Sequence, residues 1–304
     1  TGPAGPANPA GTNYGDYLYW NPPTSRWAVG GPQVSLGSFS GQSNQGVNAV
    51  AVGYYAGQIN QSTQSVAIGH YAGNNTQAEY AVAIGTNAGQ TNQHLCAVAI
   101  GNFAGNVNQS TNSVAIGSFA GNEQHESAVA VGERAGRIGQ KANAVAIGVA
   151  SGANDQGASA VAIGNGAANR EQSNDAIAIG LDAAFFSQGN AAVAIGSGAG
   201  NGYGAPQGDF AIAIGADAGA ASQGARSIIL NATGLEVNRT TTDALFIAPI
   251  RYDGTPAQTL LYNSTTKEVV YANTTASLPA ASNHGDYLFY DGAAWVTGYS
   301  TISL

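Results

Sequence analysis

Gly37 is followed at sixteen-residue steps by Gly53, Gly69, Gly85, Gly101 and Gly117. The series continues through Gly132, Gly148, Gly164, Gly180, Gly196 and Gly215, with Asn231 in the thirteenth slot. Only one step of fifteen and one of nineteen interrupt it. A period this strict means that one small unit is stacked on copies of itself, so the chain is expected to fold as a solenoid rather than around a central core.

The residues three before and one before each glycine are Val, Ile or Leu, from Val50 and Val52 to Ile228 and Leu230. Between them stands alanine, except for Ser35 in the first repeat and Ile229 in the last. That alternation is a short strand with large apolar groups on one face and methyls on the other. Two strands of about five residues and two turns would use up sixteen, so each repeat reads as one flattened coil, with successive coils pairing in parallel about 4.8 Å apart. The resulting expectation is an all-β, parallel β-roll solenoid of sixteen-residue coils with small β-rich caps.

So small a coil has room inside only for methyls. The alanines suit that space, as do Ala56, Ala72, Ala88, Ala104, Ala120 and Ala135, each followed by a glycine fit for a tight corner. The Val/Ile stripe must then face outward, as one apolar band larger than a soluble monomer usually exposes. The simplest cover is the same stripe of another copy around a symmetry axis, and a homotrimer is expected. Its interface would include Val66, Ile68, Val82, Ile84, Val98, Ile100, Val114, Ile116, Val145, Ile147, Val161 and Ile163. Asn122 is expected on an outward loop, where substitution should do little.

A glutamine stands eight residues before each glycine slot from Gln45 to Gln223, including Gln124 and Gln207 beside the irregular steps. The missing residue and the added Asn201–Pro206 region must therefore lie on the other side of the glutamine from that glycine. Amides stacked at coil spacing can bond to one another or satisfy turn backbone.

The apolar fraction of 44% is largely alanine and valine, and only 9% of residues are charged. That is a fibre composition more than a globular one. A net charge of −8 argues against nucleic acid or an anionic membrane as partner, and no apolar run is long enough for membrane insertion. Cys96 excludes an intrachain disulfide and reads as a small buried or half-buried filler. His70, His94, His125 and His284 show no ligand spacing, and the acidic residues form no calcium-type repeat. No catalytic, cofactor-binding or metal site is expected, and the chain does not read as an enzyme.

Two residues after the glycine stand Phe39, Tyr55, Tyr71, Phe103 and Phe119, interrupted by Asn87. Rings stacked from coil to coil would stiffen the rod. The sharper alternative is a platform for sugar faces, which makes these five the candidate glycan contacts.

The ends carry different signals. Residues 1–12 close a collagen-like segment, since Gly2-Pro3-Ala4-Gly5-Pro6-Ala7 is two triplets of a three-chain helix. Residues 13–33 form an aromatic lead-in cap in which Tyr17, Trp20 and Trp27 are expected to shield the open edge of the roll at 34–231. A β-hairpin connector at 232–281 would end the roll and re-register the chains. Residues 282–304 repeat the cap, Gly285-Asp286-Tyr287-Leu288 echoing Gly15-Asp16-Tyr17-Leu18, and would start a further module. A fragment of a longer fibre is the expectation.

The Ser65-Val66-Ala67-Ile68-Gly69 motif, repeated through twelve coils with Ala-Gly after it, resembles the head repeat of trimeric autotransporter adhesins. That resemblance implies a left-handed β-roll trimerised along the Val/Ile face. The period here is longer, and the glutamine is an addition to the pattern. Ala244–Tyr271 resembles segments of phage and large-virus tail fibres, and collagen triplets beside such modules are similar to fibres of large DNA viruses. Together these imply a fibre module mediating attachment at a virion or cell surface, with neighbouring fibre modules and a host glycan as further partners. A bacterial adhesin is the first alternative. A polysaccharide-cleaving tailspike is the second, although no paired carboxylates align on neighbouring coils.

Overall fold

A computed structural model of the chain describes residues 9–21, 23–251, 259–272, 287–290 and 295–298. The collagen-like triplets and the closing Ile302-Ser303-Leu304 lie outside the described residues. The chain divides into two compact units, Thr1–Pro249 and Ile250–Leu304.

The first unit is dominated by a parallel β-solenoid. Fourteen strands, from Val34–Leu36 to Leu245–Ala248, join in one continuous sheet. Register is slot on slot, with Val66 opposite Val82, Ala67 opposite Ala83 and Ile68 opposite Ile84. The fifteen-residue step keeps that register, Val114 facing Val129, and so does the nineteen-residue step, Val193 facing Ile212. Both irregularities are absorbed away from this sheet. The sheet also runs one coil beyond residue 231, because Ile228–Asn231 pairs with Leu245–Ala248 across a step of seventeen. No glycine follows that last strand; the apolar alternation of Leu245, Phe246 and Ile247 was its only signal.

The strands are shorter than the expected five residues. In the coil after Gly53 they are Val50–Val52 and Ile59–Gln61, and the remaining residues turn. Most coils place five residues at positive φ, here Gly53, Tyr55, Gly57, Asn60 and Gln64. Extended backbone cannot persist through such positions, so the perimeter bends repeatedly. The N–H groups of Tyr55, Asn60 and Gln64 donate to carbonyls of the preceding coil, and those of Ile59 and Ser62 to the following one. Backbone bonds in both directions thus hold each coil between its neighbours.

Inside, the alanines fill the lumen as expected. Ala51, Ala67, Ala83 and Ala99 are fully buried with Ala56, Ala72, Ala88 and Ala104. The rest of the lumen is crossed by the glutamines. Gln61 Nε2 reaches Val50 O across the coil at 2.8 Å and Gln77 Oε1 in the next coil at 3.2 Å. Gln77 repeats both bonds, to Val66 O and Gln93 Oε1, and the chain of amides continues unbroken from Gln45 to Gln223. Each side chain therefore ties the two faces of its own coil and links adjacent coils.

The exceptions to the repeat are what close the ladder. At its start no preceding glutamine donates to Gln45 Oε1, and the hydroxyl of Ser35 does so instead, at 2.7 Å. At its end Arg239 stands in register with Gln223, and Ile229, the largest fully buried side chain among the described residues, fills the lumen with Val237 and Phe246 against it. The amide ladder is polar-capped at one end and plugged with apolar groups at the other.

The fifteen-residue step is repaired by one side chain. In a neighbouring coil Thr91 N donates to the main-chain Asn106 O at 3.0 Å, whereas Val107 N turns to Asn122 Oδ1 at 3.1 Å. Asn122 is therefore not the dispensable loop residue expected. Its side chain supplies the acceptor that the main-chain carbonyl of the same slot supplies in the regular coil.

Of the three cap aromatics, Tyr17 meets the roll. Its hydroxyl donates to Gln33 O and accepts from Ser35 N, occupying a donor of the first strand's open edge. Trp20 and Trp27 face each other across the antiparallel pair Leu18–Asn21 and Arg26–Val29, and both stay half-exposed.

In the second unit the expected hairpin is present, Thr259–Tyr262 pairing antiparallel with Val269–Ala272. Its turn is held by Asn263 Oδ1, which accepts from Thr265 N and Thr266 N. Tyr287–Tyr290 pairs with Trp295–Gly298, Tyr290 opposite Trp295 as Trp20 is opposite Trp27 in the first cap. The repeated cap sequence thus yields a repeated hairpin. Among the described residues no helix is long and apolar enough to cross a membrane.

Ala99→Leu should overpack a lumen already filled by methyls and amides, at a cost of about 1–3 kcal/mol or more, seen as a lower melting temperature. Asn122→Ala should cost about 1 kcal/mol by leaving Val107 N–H without its acceptor, read from the urea midpoint.

Candidate functional site: an apolar stripe and an aromatic column

With alanines inside, the Val/Ile side chains stand on the outer face of the long sheet. Val66, Val82, Val98, Val114, Val145 and Val161 are half-buried by their neighbours, and Ile68, Ile116 and Ile147 are exposed. Ile84, Ile100 and Ile163 are intermediate. The stripe continues past these twelve positions through Ile195, Ile214, Ile228, Leu230, Leu245 and Ile247, all exposed. Fourteen strands at about 4.8 Å spacing make a band about 60 Å long. Its two columns, one mostly Val and the other mostly Ile, have no partner within the coil that bears them.

The aromatic column occupies a corner slot in which every occupant has positive φ, from Phe39 at 60° and Tyr55 at 58° to Phe119 at 57°. Bulky residues adopt that conformation at a cost of roughly 1–2 kcal/mol, which Asn87 among the early coils and Gly166, Asp182, Gly198 and Asp217 in the later ones reduce. Stacking offsets it in the early coils. Phe39 and Tyr55 lie 4.7 Å apart and 16° from parallel, Tyr55 and Tyr71 5.0 Å and 7°, and Phe103 and Phe119 5.1 Å and 5°. Asn87 divides the five rings into a group of three and a pair.

A second column stands beside the first. Tyr54 and His70 stack at 5.6 Å and meet Tyr55 and Tyr71 edge to face. The Tyr54 hydroxyl is held above its ordinary pKa, chiefly by its hydrogen bond with Tyr55. Sequence reading missed this column because its slot holds Ser38, Thr86 and Asn102 on either side, so no periodicity announced it. Stacking has a further consequence: within each group the ring faces cover one another, and the lateral surface presents edges.

Charge contributes little to this surface. The fork between Arg226 and Asp243, at 2.6 and 2.9 Å, is exposed, and the guanidinium holds the Asp243 carboxyl below its usual range. Cys96 is exposed, not the filler expected, because it sits at φ 55° on the outer turn before Ala97. Among the described residues no three of His, Cys, Asp and Glu gather as a metal site would require. No family model, curated protein or solved structure matches the chain.

Tyr71→Ser should remove stacking on Tyr55 and edge contact with Tyr54 without relieving the backbone, costing about 0.5–1.5 kcal/mol per ring pair in denaturant unfolding.

Proposed function

We propose that the chain is a structural and adhesive module of a homotrimeric fibre, displayed at a virion or cell surface and without catalysis of its own. The observation that supports this most is the unpartnered stripe. A soluble rod that carries a continuous apolar band of this length needs a cover of matching length and repeat. A copy of the same stripe meets both demands, and rotational symmetry closes the assembly without leaving a free face. The resemblance of the Val-Ala-Ile-Gly repeat to adhesin heads favours three copies over two, as do the collagen-like triplets of the opening segment. A bacterial surface adhesin remains the second reading on the strength of that repeat, and a full-length gene ending in a membrane-anchoring β-barrel would select it.

In this reading the roll is a spacer whose stiffness comes from the axial hydrogen bonds and the two aromatic columns. The rings of Phe39, Tyr55, Tyr71, Phe103 and Phe119 serve the rod first, and any glycan reaching the middle of the column would meet ring edges and the Tyr55 and Tyr71 hydroxyls. Attachment would then depend on surfaces where a ring face is left open.

Light scattering at micromolar concentration should give three times the chain mass, and a stable monomer would overturn the trimer. Ile116→Asp should place one carboxylate per chain in the interface and dissociate or unfold the assembly. Thr111→Asp, away from the stripe, should leave the mass unchanged.

A further inference from the structure

The column of stacked rings has an open end. Phe39 lies against Tyr55 on one side, and 47% of it remains exposed. On its other side the aromatic hairpin of the cap stands over the first coil, and between them lies an open cleft of about 1240 Å³. Tyr19, Trp20 and Phe39 contribute rings to it, and Asn21, Gln42 and Ser43 contribute amides and a hydroxyl. No Asp, Glu, Lys, Arg or His is among the lining residues.

Its walls are fixed by the fold. The Tyr17 hydroxyl tethers the hairpin to the first strand through Gln33 O and Ser35 N, and the Tyr17 main chain accepts from Gly30 N at 2.7 Å. A side chain at Gly30 would strike the Tyr17 ring, so the glycine is what lets the ring lie flat there. On the opposite wall Gln42 Oε1 accepts from Gln58 Nε2 at 2.8 Å, which orients the Gln42 amide and leaves its N–H groups without a partner among the described residues.

We infer that this cleft is a binding site for a neutral oligosaccharide. Rings offer apolar faces to the C–H side of a sugar at little entropic cost, while amides and hydroxyls placed among them pair with its hydroxyls. The absence of charge from the lining excludes the ion pairs by which sialylated or sulfated sugars are held. The cleft exceeds the 300–1,000 Å³ of an ordinary small-molecule pocket and is open to solvent, which suits several sugar units of a longer chain. The site thus lies where a ring face is free, not along the column where the faces are covered. The inference rests on the attachment half of the proposed function and is separate from the trimer.

The test is a glycan array followed by tryptophan-fluorescence titration with maltotriose, cellotetraose, triacetylchitotriose and mannotriose. Saturable binding of at least one neutral glycan is expected, weakened about tenfold or more by Trp20→Ala and by Phe39→Ser, as for an aromatic anchor. Phe119→Ser, which removes a ring from the second stack, should leave the affinity unchanged, and Gln42→Ala gives a polar variant that leaves the rings in place and should also weaken binding. Circular dichroism of each variant separates loss of the site from loss of the fold. No binding to any neutral glycan, binding confined to anionic glycans, or affinity retained in Trp20→Ala and Gln42→Ala would overturn the site. Light scattering on the same samples keeps the two readings apart: a trimer that binds no sugar overturns the cleft alone, and a monomer that binds overturns the trimer alone.

Discussion

Stacking coils at strand spacing sets each residue directly over its own counterpart about 4.8 Å away, so every slot must hold a residue that tolerates a copy of itself. Most of the composition follows from this. A Cβ at Gly69 would meet the carbonyl of Gly85 at 2.7 Å, so that column stays glycine for twelve coils. Glutamine is self-complementary, its N–H donating to the next carbonyl oxygen, and can repeat without limit inside the lumen. Aromatic rings stack on themselves, and outer asparagines pair as Asn44 does with Asn60. Like charges in register would repel, which accounts for a chain with only 9% charged residues, and its best ion pair, Arg226 with Asp243, joins opposite charges across the last coils.

Departures from the repeat are tolerated where a neighbouring group takes over the lost bond. Ser35 donates to the first glutamine, Asn122 lends its side-chain oxygen to Val107, and Ile229 fills the lumen where the ladder has ended. The nineteen-residue step is less fully repaired. Asn201, at the base of the inserted loop, donates to Asp182 O but leaves its own Oδ1 buried without a protein partner. The fold thus accepts an extra loop at the cost of one unpaired acceptor, while the long sheet beside it keeps its register.

The features legible in the sequence are those set by side-chain size and period. The parallel coils, the alanine lumen, the outward stripe and the glutamine row were all readable from which slots stay small, large or amide. The features set by backbone sign were not. Tyr55, Thr76 and Glu171 give no hint of positive φ, since their types disfavour it, and the strands were therefore read as too long. The same blindness put Cys96 inside when its turn carries it out. The fourteenth coil and the Tyr54–His70 column escaped because each lacks the repeating residue that marked the others, and the role of Asn122 became visible only once the missing residue had a place in space.

The outward stripe is a consequence of the lumen and not an independent feature. A coil of sixteen residues that bends at five positions encloses a space that alanines and one glutamine already fill. In such a coil branched side chains go outside, and Ile229 is inside only where the amide ladder has ended. On the outside they extend each strand's apolar surface beyond what the coil can cover, so the same dimension that makes the coil thin leaves the stripe without cover from its own coil. A thicker coil could have turned its Val and Ile inward, but it would have lost the amide ladder, because a glutamine reaches the opposite strand only across a lumen this narrow, as the 2.8 Å bond from Gln61 to Val50 does here. Internal order along the axis and an uncovered outer stripe are therefore two results of one short perimeter.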